Sequence, residues 1–314
     1  MKITAIEPIG ISTERYLDIK NMFAQKGHSF LLYADRKEDE PTIVERMKDA
    51  DIAIISNIPL TKNVLAQCPK LKLLAVAFTG LDHIDTAYCA ERGIEVVNAN
   101  GYATVAVAEL AVGLMLDVYR KITFMDSETR NHSGRGSFLG RQLKDKTVGI
   151  IGTGAIGLET ARILSAFGCK IIAYSRTIRK QATEIGVTYM CFEDVMRQAD
   201  IISLHLPLTT ETNLLIDSEK LNLCKTSSIF INTARGKIVD NIALAKALIN
   251  GKIAGAGVDV FESEPPLTTH PLFSVPNCIL TPHIAFATQE SFSERIDIVI
   301  NNINCWLHEK TISK

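Results

Sequence analysis

Three ionisable side chains, Arg235, Glu264 and His283, stand in loops that each follow a β-like segment. The stretches read "FINTARGKIVD", "GAGVDVFESEPP" and "ILTPHIAFAT". Because loops at the carboxyl ends of parallel strands gather in one crevice, separate strands can bring these side chains together. A guanidinium can hold a carboxylate and polarise a carbonyl, and a histidine can donate a proton near neutral pH. A carboxylate beside the histidine would favour its charged form and fix its ring.

Other assignments for these positions stay open. Arg235 can serve in a structural ion pair, and Glu262 can take the place of Glu264. His205, in "SLHLP", is a rival proton donor at the end of a predicted strand. The residue types alone do not decide among these alternatives.

A glycine-rich loop lies upstream, in "TVGIIGTGAIGLETARIL". Gly152, Gly154 and Gly157 follow a strand-like segment and precede a helix that begins near Ala155 and Ile156. The first glycine allows a tight turn, the second lets backbone approach a pyrophosphate, and the third lets the helix pack on the strand. The free N–H groups of the helix then face the phosphates. This context predicts a dinucleotide-binding loop.

The turn after the next strand selects the cofactor, and here it contains Ser175, Arg176 and Thr177. A carboxylate at the end of this strand would bind the ribose diol and repel a 2′-phosphate. A serine followed by a cation instead favours a cradle for the 2′-phosphate of NADP. An ordinary solvated basic turn is the alternative, since a missing acid permits NADPH without forbidding NADH. We expect NAD(P)H, with NADPH favoured.

Together these stretches resemble the D-isomer-specific 2-hydroxyacid dehydrogenase family, in particular its glyoxylate and hydroxypyruvate reductase-like members. The family's N-x-x-R-G motif is matched by Asn232, Arg235 and Gly236, and its D-V-F-x-x-E-P and T-P-H motifs supply Glu264 and His283. The resemblance implies that Arg235 binds substrate and that His283, paired with Glu264, is the catalytic acid. It implies an oxidoreductase that reduces a 2-keto acid to the D-2-hydroxy acid, reversibly.

The resemblance also implies a carboxylate-binding loop in "AFTGLDHID". Its backbone amides belong to Thr79 and Gly80, preceded by Phe78, and a glycine turn of this kind makes an anion site. A plain tight turn is the alternative. Further substrate contacts are expected from Tyr102 and Phe286.

The remaining cofactor contacts are implied by the same resemblance. Asp259 is expected near the nicotinamide carboxamide, and His205 is expected to line the cofactor. The full additional set is Thr104, His205, Pro207, Thr212, Thr233, Ala234, Asp259 and Ala285.

Two series of alternating β-like and helix-like segments supply the elements that position these residues. The first runs from the N-terminus to about residue 98, and the second from 147 to 281. Alternation predicts an α/β fold with parallel sheets and helices on both faces. We expect two Rossmann-like or flavodoxin-like domains, with a cofactor domain (100–284) inserted into a substrate domain (1–99 plus 285–314) and the active site in the cleft. The apolar helix at 104–122 and the resemblance favour a homodimer.

Composition limits the partners and the compartment. The chain has 314 residues, a formal charge of −1 and no like-charge tail, so it offers no field for nucleic acid or an anionic membrane. No signal peptide or long apolar run is visible. The seven cysteines show no metal spacing, and we interpret them as reduced core thiols of a cytoplasmic protein without a metal site.

The expected substrate is a small 2-keto or 2-hydroxy monocarboxylate, because no motif places a second cation beside Arg235. A second anion on the substrate would then be buried unpaired. Two alternatives of other classes remain: a formate- or phosphite-type dehydrogenase of the same fold, and a nucleotide-sensing, corepressor-like binding protein. The formate branch typically has glutamine where Glu264 stands, and fold alone does not fix function.

Overall fold

The computed structural model describes residues 1–312, with side chains through residue 310. The chain divides into two compact units. Unit 1 contains Met1–Ala103 and the residues from Ala287 onward, and unit 2 is Thr104–Phe286. The sequence predicted the corresponding boundaries at 99/100 and 284/285. The structure places each boundary a few residues later, so that Tyr102 belongs to unit 1 and Phe286 to unit 2.

Unit 1 is built on a five-stranded parallel sheet in the order β2-β1-β3-β4-β5. This is the flavodoxin-like order. Its strands are β1 (Lys2–Ala5), β2 (Ser29–Leu32), β3 (Ile52–Ile55), β4 (Leu73–Val76) and β5 (Glu95–Asn98). Its helices are α1 (Thr13–Gln25), α2 (Glu40–Met47), α3 (Lys62–Ala66), α4 (Thr86–Glu91) and, at the end of the chain, α12 (Gln289–Ile312).

Unit 2 contains a seven-stranded parallel sheet in the order β12-β11-β10-β9-β6-β7-β8. The strands are β6 (Thr147–Ile151), β7 (Lys170–Tyr174), β8 (Thr188–Tyr189), β9 (Ile201–Leu204), β10 (Ile229–Asn232), β11 (Gly255–Val258) and β12 (Cys278–Leu280). The helices are α5 (Thr104–Arg120), α6 (Ile122–Arg130), α7 (Ala155–Ala166), α8 (Lys180–Glu184), α9 (Phe192–Gln198), α10 (Ser218–Leu223) and α11 (Asn241–Ile249). The expectation of an α/β fold with two parallel sheets is confirmed.

The strand register of unit 2 aligns the carboxyl ends of its central strands. Ile151 pairs with Leu204, and Leu204 pairs with Asn232. Asn232 in turn pairs with Val258, which pairs with Leu280. Each strand therefore ends at the same level, and the loops that follow leave one edge of the sheet. The strand order reverses between β6 and β9, which is where open α/β sheets bind ligands.

The helix expected at 104–122 is interrupted. α5 ends at Arg120, Lys121 adopts a left-handed φ of 51°, and α6 begins at Ile122. α6 buries none of its residues, and its apolar side chains Ile122 and Phe124 are exposed. α5 itself packs its apolar side chains within unit 2, while Val105 stays exposed.

The interpretation of all seven cysteines as core thiols is wrong for Cys191 and Cys305, which are exposed. Cys191 immediately precedes α9, and Cys305 lies on the outer face of α12. Phe192 and Trp306, the next residues along the chain, are buried instead. Within residues 1–312, no helix has the length and apolarity needed to cross a membrane.

Candidate active site

A short hydrogen bond joins two of the three ionisable side chains in unit 2. His283 Nδ1 lies 2.5 Å from Glu264 Oε2, and Glu264 Oε1 accepts the Phe261 N–H at 3.1 Å. Burial acts to raise the pKa of Glu264, but the hydrogen bond and charge of His283, helped by Phe261 N–H and Arg235, outweigh it. The pKa of Glu264 therefore lies below its usual range. The carboxylate is therefore ionised at neutral pH, where it can accept a hydrogen bond from His283 Nδ1.

The backbone of His283 is held in a conformation that residues other than glycine rarely adopt. Its φ is 52°, in the left-handed region. Its N–H donates to the Asp259 carbonyl at 2.7 Å, and the Asp259 carboxylate accepts from Thr281 Oγ1 at 2.6 Å. The same carboxylate accepts the N–H groups of Ile284 and Ala285, both at 2.9 Å. These hydrogen bonds fix the loop, and they offset the free-energy cost of the left-handed conformation at His283.

Asp259 is fully buried at the centre of this arrangement. Burial raises the pKa of Asp259, and its hydrogen bonds to Thr281, Ile284 and Ala285 oppose that shift only in part. The contacts described for this carboxylate are thus with the His283 loop. Its expected approach to the nicotinamide carboxamide stays a prediction.

Arg235 is placed by the side chain of a buried asparagine at the end of β10. Asn232 Oδ1 accepts the Ala234 N–H at 3.0 Å, and its Nδ2 donates to the Arg235 carbonyl at 3.0 Å. The Arg235 guanidinium donates to the Ala234 carbonyl at 2.8 Å. A guanidinium has five N–H donors in a planar fork.

Gly236 brings the Arg235 loop against the Glu264 loop. A Cβ at this position would overlap the Phe261 carbonyl and the Glu262 N–H. Only a glycine therefore permits the two loops to pack at this distance. The arrangement brings Arg235 close enough to contribute to the lowered pKa of Glu264.

The structure gives the rival residues other partners. Glu262 accepts from Asn241 Nδ2 at 2.7 Å and lies 3.0 Å from His270 Nε2, so Glu264 and not Glu262 faces His283. His205 Nε2 lies 2.9 Å from Ser203 Oγ, and burial lowers the pKa of His205 to about 4. A ring that is neutral at working pH is a poor proton donor.

The glycine loop has the backbone features that a pyrophosphate requires. Gly152 has φ of 98° and packs against the His205 carbonyl, and a Cβ on Gly157 would overlap the Gly152 carbonyl. α7 begins at Ala155 after the N-cap residue Gly154, which makes no side-chain capping bond, and Ala155 is exposed. The first N–H groups of α7 suit an anion, as in other helix N-termini that bind phosphate. Ile156 lies in the same first turn.

A buried hydroxyl supports the fit of a cofactor at this edge. Thr233 is 7% exposed, and within the described residues its Oγ1 has no hydrogen-bond partner. Leaving a buried polar atom without a hydrogen-bond partner costs free energy. The Thr233 hydroxyl directly follows β10, at the edge of the sheet expected to bind the cofactor, so a bound cofactor would supply the missing partner. Ala234 and Ala285 follow nearby strands and are buried, with their N–H groups bonded to Asn232 and Asp259.

The turn after β7 is joined to the glycine loop by a tyrosine that sequence reasoning missed. Ser175 is half-buried, whereas Arg176 and Thr177 are exposed. Tyr189 Oη donates to Thr153 Oγ1 at 2.8 Å and accepts the Arg179 N–H at 3.2 Å. No local motif marks Tyr189, because β8 has only two residues.

The loop after β9 is closed by its own polar groups. Thr212 Oγ1 donates to the Pro207 carbonyl at 2.7 Å and accepts the Thr209 N–H at 2.8 Å. Thr104 is the first residue of α5. The cofactor contacts expected of Pro207, Thr212 and Thr104 stay predictions.

Four of the residues predicted to bind substrate lie in unit 1. Phe78 and Tyr102 have ring centroids 6.1 Å apart, and Thr79 and Gly80 follow Phe78. Tyr102 also lies 5.9 Å from the guanidinium of Arg295, which is 3% exposed and donates to the Ile9 carbonyl at 2.8 Å. This buried cation was missed because it lies within the amphipathic pattern of α12.

Phe286, in unit 2, packs against His283, the candidate catalytic histidine. Its ring centroid is 5.5 Å from that of His283, with the rings at 87°. Edge-to-face contact of this kind restricts the orientation of both rings. Phe286 and Glu264 therefore both help to fix the orientation of the His283 ring.

Comparison with known proteins agrees with this arrangement. The family described as D-isomer specific 2-hydroxyacid dehydrogenase, NAD binding domain, matches residues 112–285. A glyoxylate reductase from Thermococcus litoralis is 40% identical over 290 residues, which cover 89% of this chain and 87% of that protein.

Solved structures are similar over nearly the whole chain. An acyclic imino acid reductase in complex with NADPH and D-Arg has a TM-score of 0.89 and 30% identity, covering 99% of this chain and 98% of that one. A D-lactate dehydrogenase from Aquifex aeolicus, complexed with NAD and lactic acid, has a TM-score of 0.85 and 29% identity over 98% and 96% of the two chains.

These matches confirm the predicted family and the prediction of an oxidoreductase with a nicotinamide-dinucleotide-binding domain. The glycine loop, the strand register and the Glu264–His283 pair agree with these matches. The chain belongs to the D-isomer-specific 2-hydroxyacid dehydrogenase family.

Proposed function

We propose that this protein reduces a small 2-keto monocarboxylate to the D-2-hydroxy acid, reversibly, with NADPH preferred over NADH. The observation that carries the proposal is the 2.5 Å contact between His283 Nδ1 and Glu264 Oε2, in loops adjoining that of Arg235. A proton donor fixed by a carboxylate, with a guanidinium nearby, matches what carbonyl reduction requires of a protein.

The protein groups have distinct tasks in this reaction. Because Glu264 engages Nδ1 of His283, the Nε2 atom is the one that donates a proton to the carbonyl oxygen. Arg235 binds the substrate carboxylate and polarises the carbonyl with its planar fork. Bound NAD(P)H supplies the hydride that reaches the keto carbon. In the reverse direction His283 accepts the hydroxyl proton, and Glu264 stabilises the resulting charge.

The preference for NADPH is supported by the turn after β7. Ser175 replaces the carboxylate that would repel a 2′-phosphate, and Arg176 follows on the surface. Tyr189 links the backbone of this turn to the glycine loop. An arginine in this turn can form charge-assisted hydrogen bonds to a phosphate.

A monocarboxylate is supported by the apolar character of Phe78, Tyr102 and Phe286. The buried Arg295 guanidinium donates through Nη2 to the Ile9 carbonyl and stacks 4.1 Å from the Phe292 ring. Two of the relatives named above are named for glyoxylate or are bound to lactic acid, and both compounds are small monocarboxylates. The third is a reductase of imino acids that is bound to D-Arg.

The test is a set of initial rates with NADPH and with NADH. The panel comprises glyoxylate, hydroxypyruvate, 2-ketoisocaproate and phenylpyruvate, with formate and phosphite in the oxidative direction. We expect faster turnover with NADPH and at least one keto acid. Turnover of formate or phosphite alone would favour the alternative dehydrogenase class, and tight cofactor binding without turnover would favour a binding protein.

The homodimer and the cytoplasmic location stay predictions. Sedimentation equilibrium of the purified chain tests the first. Fractionation of cells that express the chain from its own promoter tests the second.

A further inference from the structure

A side chain at the end of β5 holds the loop expected to bind the substrate carboxylate. Asn98, the last residue of β5, pairs with Val76 of β4. Its Nδ2 crosses to the loop after β4 and donates to the Thr79 carbonyl at 2.7 Å. The next residue, Ala99, shares its N–H between the carbonyls of Val76 at 3.0 Å and Phe78 at 3.1 Å.

Asn98 is itself anchored from the far end of the chain. Asn302, on α12, donates through Nδ2 to the Asn98 carbonyl at 3.0 Å. Consecutive contacts thus connect α12 to β5 and β5 to the loop, all within unit 1. The backbone of Asn98 is therefore held by α12, and its side chain holds the loop after β4.

Holding the Thr79 carbonyl fixes the direction of the next N–H. The Thr79–Gly80 peptide is trans, and in a planar trans peptide the C=O and N–H bonds point in opposite directions. An Nδ2 donor on the Thr79 oxygen therefore turns the Gly80 N–H away from Asn98. This control is needed because glycine would otherwise sample many backbone conformations.

We propose that Asn98 is a positioning residue for the substrate carboxylate, acting through the Thr79–Gly80 peptide. This inference rests on the proposed function and on the prediction from the sequence that the Gly80 N–H also binds the carboxylate of the 2-keto acid. An amide is the group that the position requires, because a carboxylate of the same shape would place an acceptor against the Thr79 carbonyl.

The test compares N98A and N98D with the wild-type enzyme, using the best keto acid from the panel above. N277D is the matched control, since Asn277 Nδ2 also donates to a backbone carbonyl, that of Ala254 at 2.9 Å, in unit 2. We expect N98A to raise KM for the keto acid about five- to tenfold, the effect of losing one hydrogen bond. The kcat value, the Kd of NADPH and the melting temperature should stay close to wild type.

The pH dependence of N98D gives a second readout that a purely structural role would not produce. The carboxyl introduced by N98D can donate to the Thr79 carbonyl only when protonated. The ratio of its KM to that of wild type should therefore fall as the pH is lowered toward about 4. The ratio for N98A should stay constant over the same range.

Each result has a defined meaning. An unchanged KM in N98A, in an active wild-type background, would overturn the role of Asn98. A fall in kcat and melting temperature without a change in KM would assign Asn98 to structure alone and also overturn it. Absence of keto-acid turnover in the wild type would instead contradict the proposed function on which the inference rests.

Discussion

At the scale of single residues, the fork of Arg235 is the first group to test. R235K keeps the charge but removes the planar pair of donors that binds a carboxylate and polarises a carbonyl. We expect kcat/KM for the keto acid to fall by about 100-fold or more. Steady-state rates measure this, with R141K as control because Arg141 also donates to a backbone carbonyl, that of Ser227. Near-wild-type rates in R235K would remove Arg235 from substrate binding.

The carboxylate of Glu264 contacts the Nδ1 atom of the proposed proton donor, His283. An opposite charge beside an acid stabilises the charged form of that acid. E264Q keeps a hydrogen-bonding group of the same shape but removes the charge. The reductive pH profile should therefore move toward acid.

The control for this profile is E262Q, because Glu262 contacts His270 and Asn241 instead. Its profile should match the wild type within error. If E262Q and E264Q shift the profile equally, the effect belongs to the general charge of the loop and not to the Glu264–His283 pair.

Arg176 decides the cofactor preference in our proposal. R176A should raise the Kd of NADPH about tenfold, the loss of one hydrogen bond to a charged group, and leave that of NADH nearly unchanged. Fluorescence titration measures both constants. R197A, which removes an arginine paired with Asp194 on α9, should change neither. Equal weakening of NADPH and NADH by R176A would contradict a phosphate cradle.

At the scale of elements, Gly236 couples the loop of Arg235 to the loop of Glu264. G236A would force a Cβ into the Phe261 backbone, so the two loops must separate. Overpacking of this kind typically costs about 1–3 kcal/mol, and we expect a lower melting temperature together with a lower kcat.

The matched control is G113A on α5, where a Cβ has nothing within 4 Å. An alanine in a helix is favoured over glycine by about 0.5–1 kcal/mol, so G113A should keep activity and slightly raise the melting temperature. Wild-type kcat in G236A would show that the separation of the two loops is not critical for catalysis.

Elements with strong apolar patterns were predictable from the sequence, and elements without them were not. The core strands and α7 appear where the alternation and the glycine loop predicted them. α6 and β8 were missed, because α6 buries no residue and β8 has two residues. Hydrophobic periodicity reports burial, so it does not indicate helices that remain on the surface.

At the scale of the whole molecule, each unit has its own sheet and its own buried core. We expect two thermal transitions, and NADPH should raise the one that belongs to unit 2. At a concentration of 100 times its Kd, a ligand stabilises the state it binds by about 2.7 kcal/mol. Differential scanning calorimetry measures the transitions, and hydrogen exchange assigns each to a unit. A single transition, shifted as a whole, would contradict independent unfolding.

The sequence by itself determined which residues are candidates for the chemistry of this protein. The glycine loop, Arg235, Glu264 and His283 could be selected because each motif is local and its residue types suit the proposed reaction. The motifs also determined the family, since three ordered stretches in succession are far more specific than one.

Only the tertiary structure decided which partners these groups have. Glu264 and not Glu262 contacts His283, His205 pairs with Ser203, and Asn98 donates to the Thr79 carbonyl. Each of these contacts depends on the register of neighbouring strands or on how closely two loops pack. A one-residue shift in register would exchange the faces of every side chain, and that choice is made by the packing of the whole sheet rather than by local sequence.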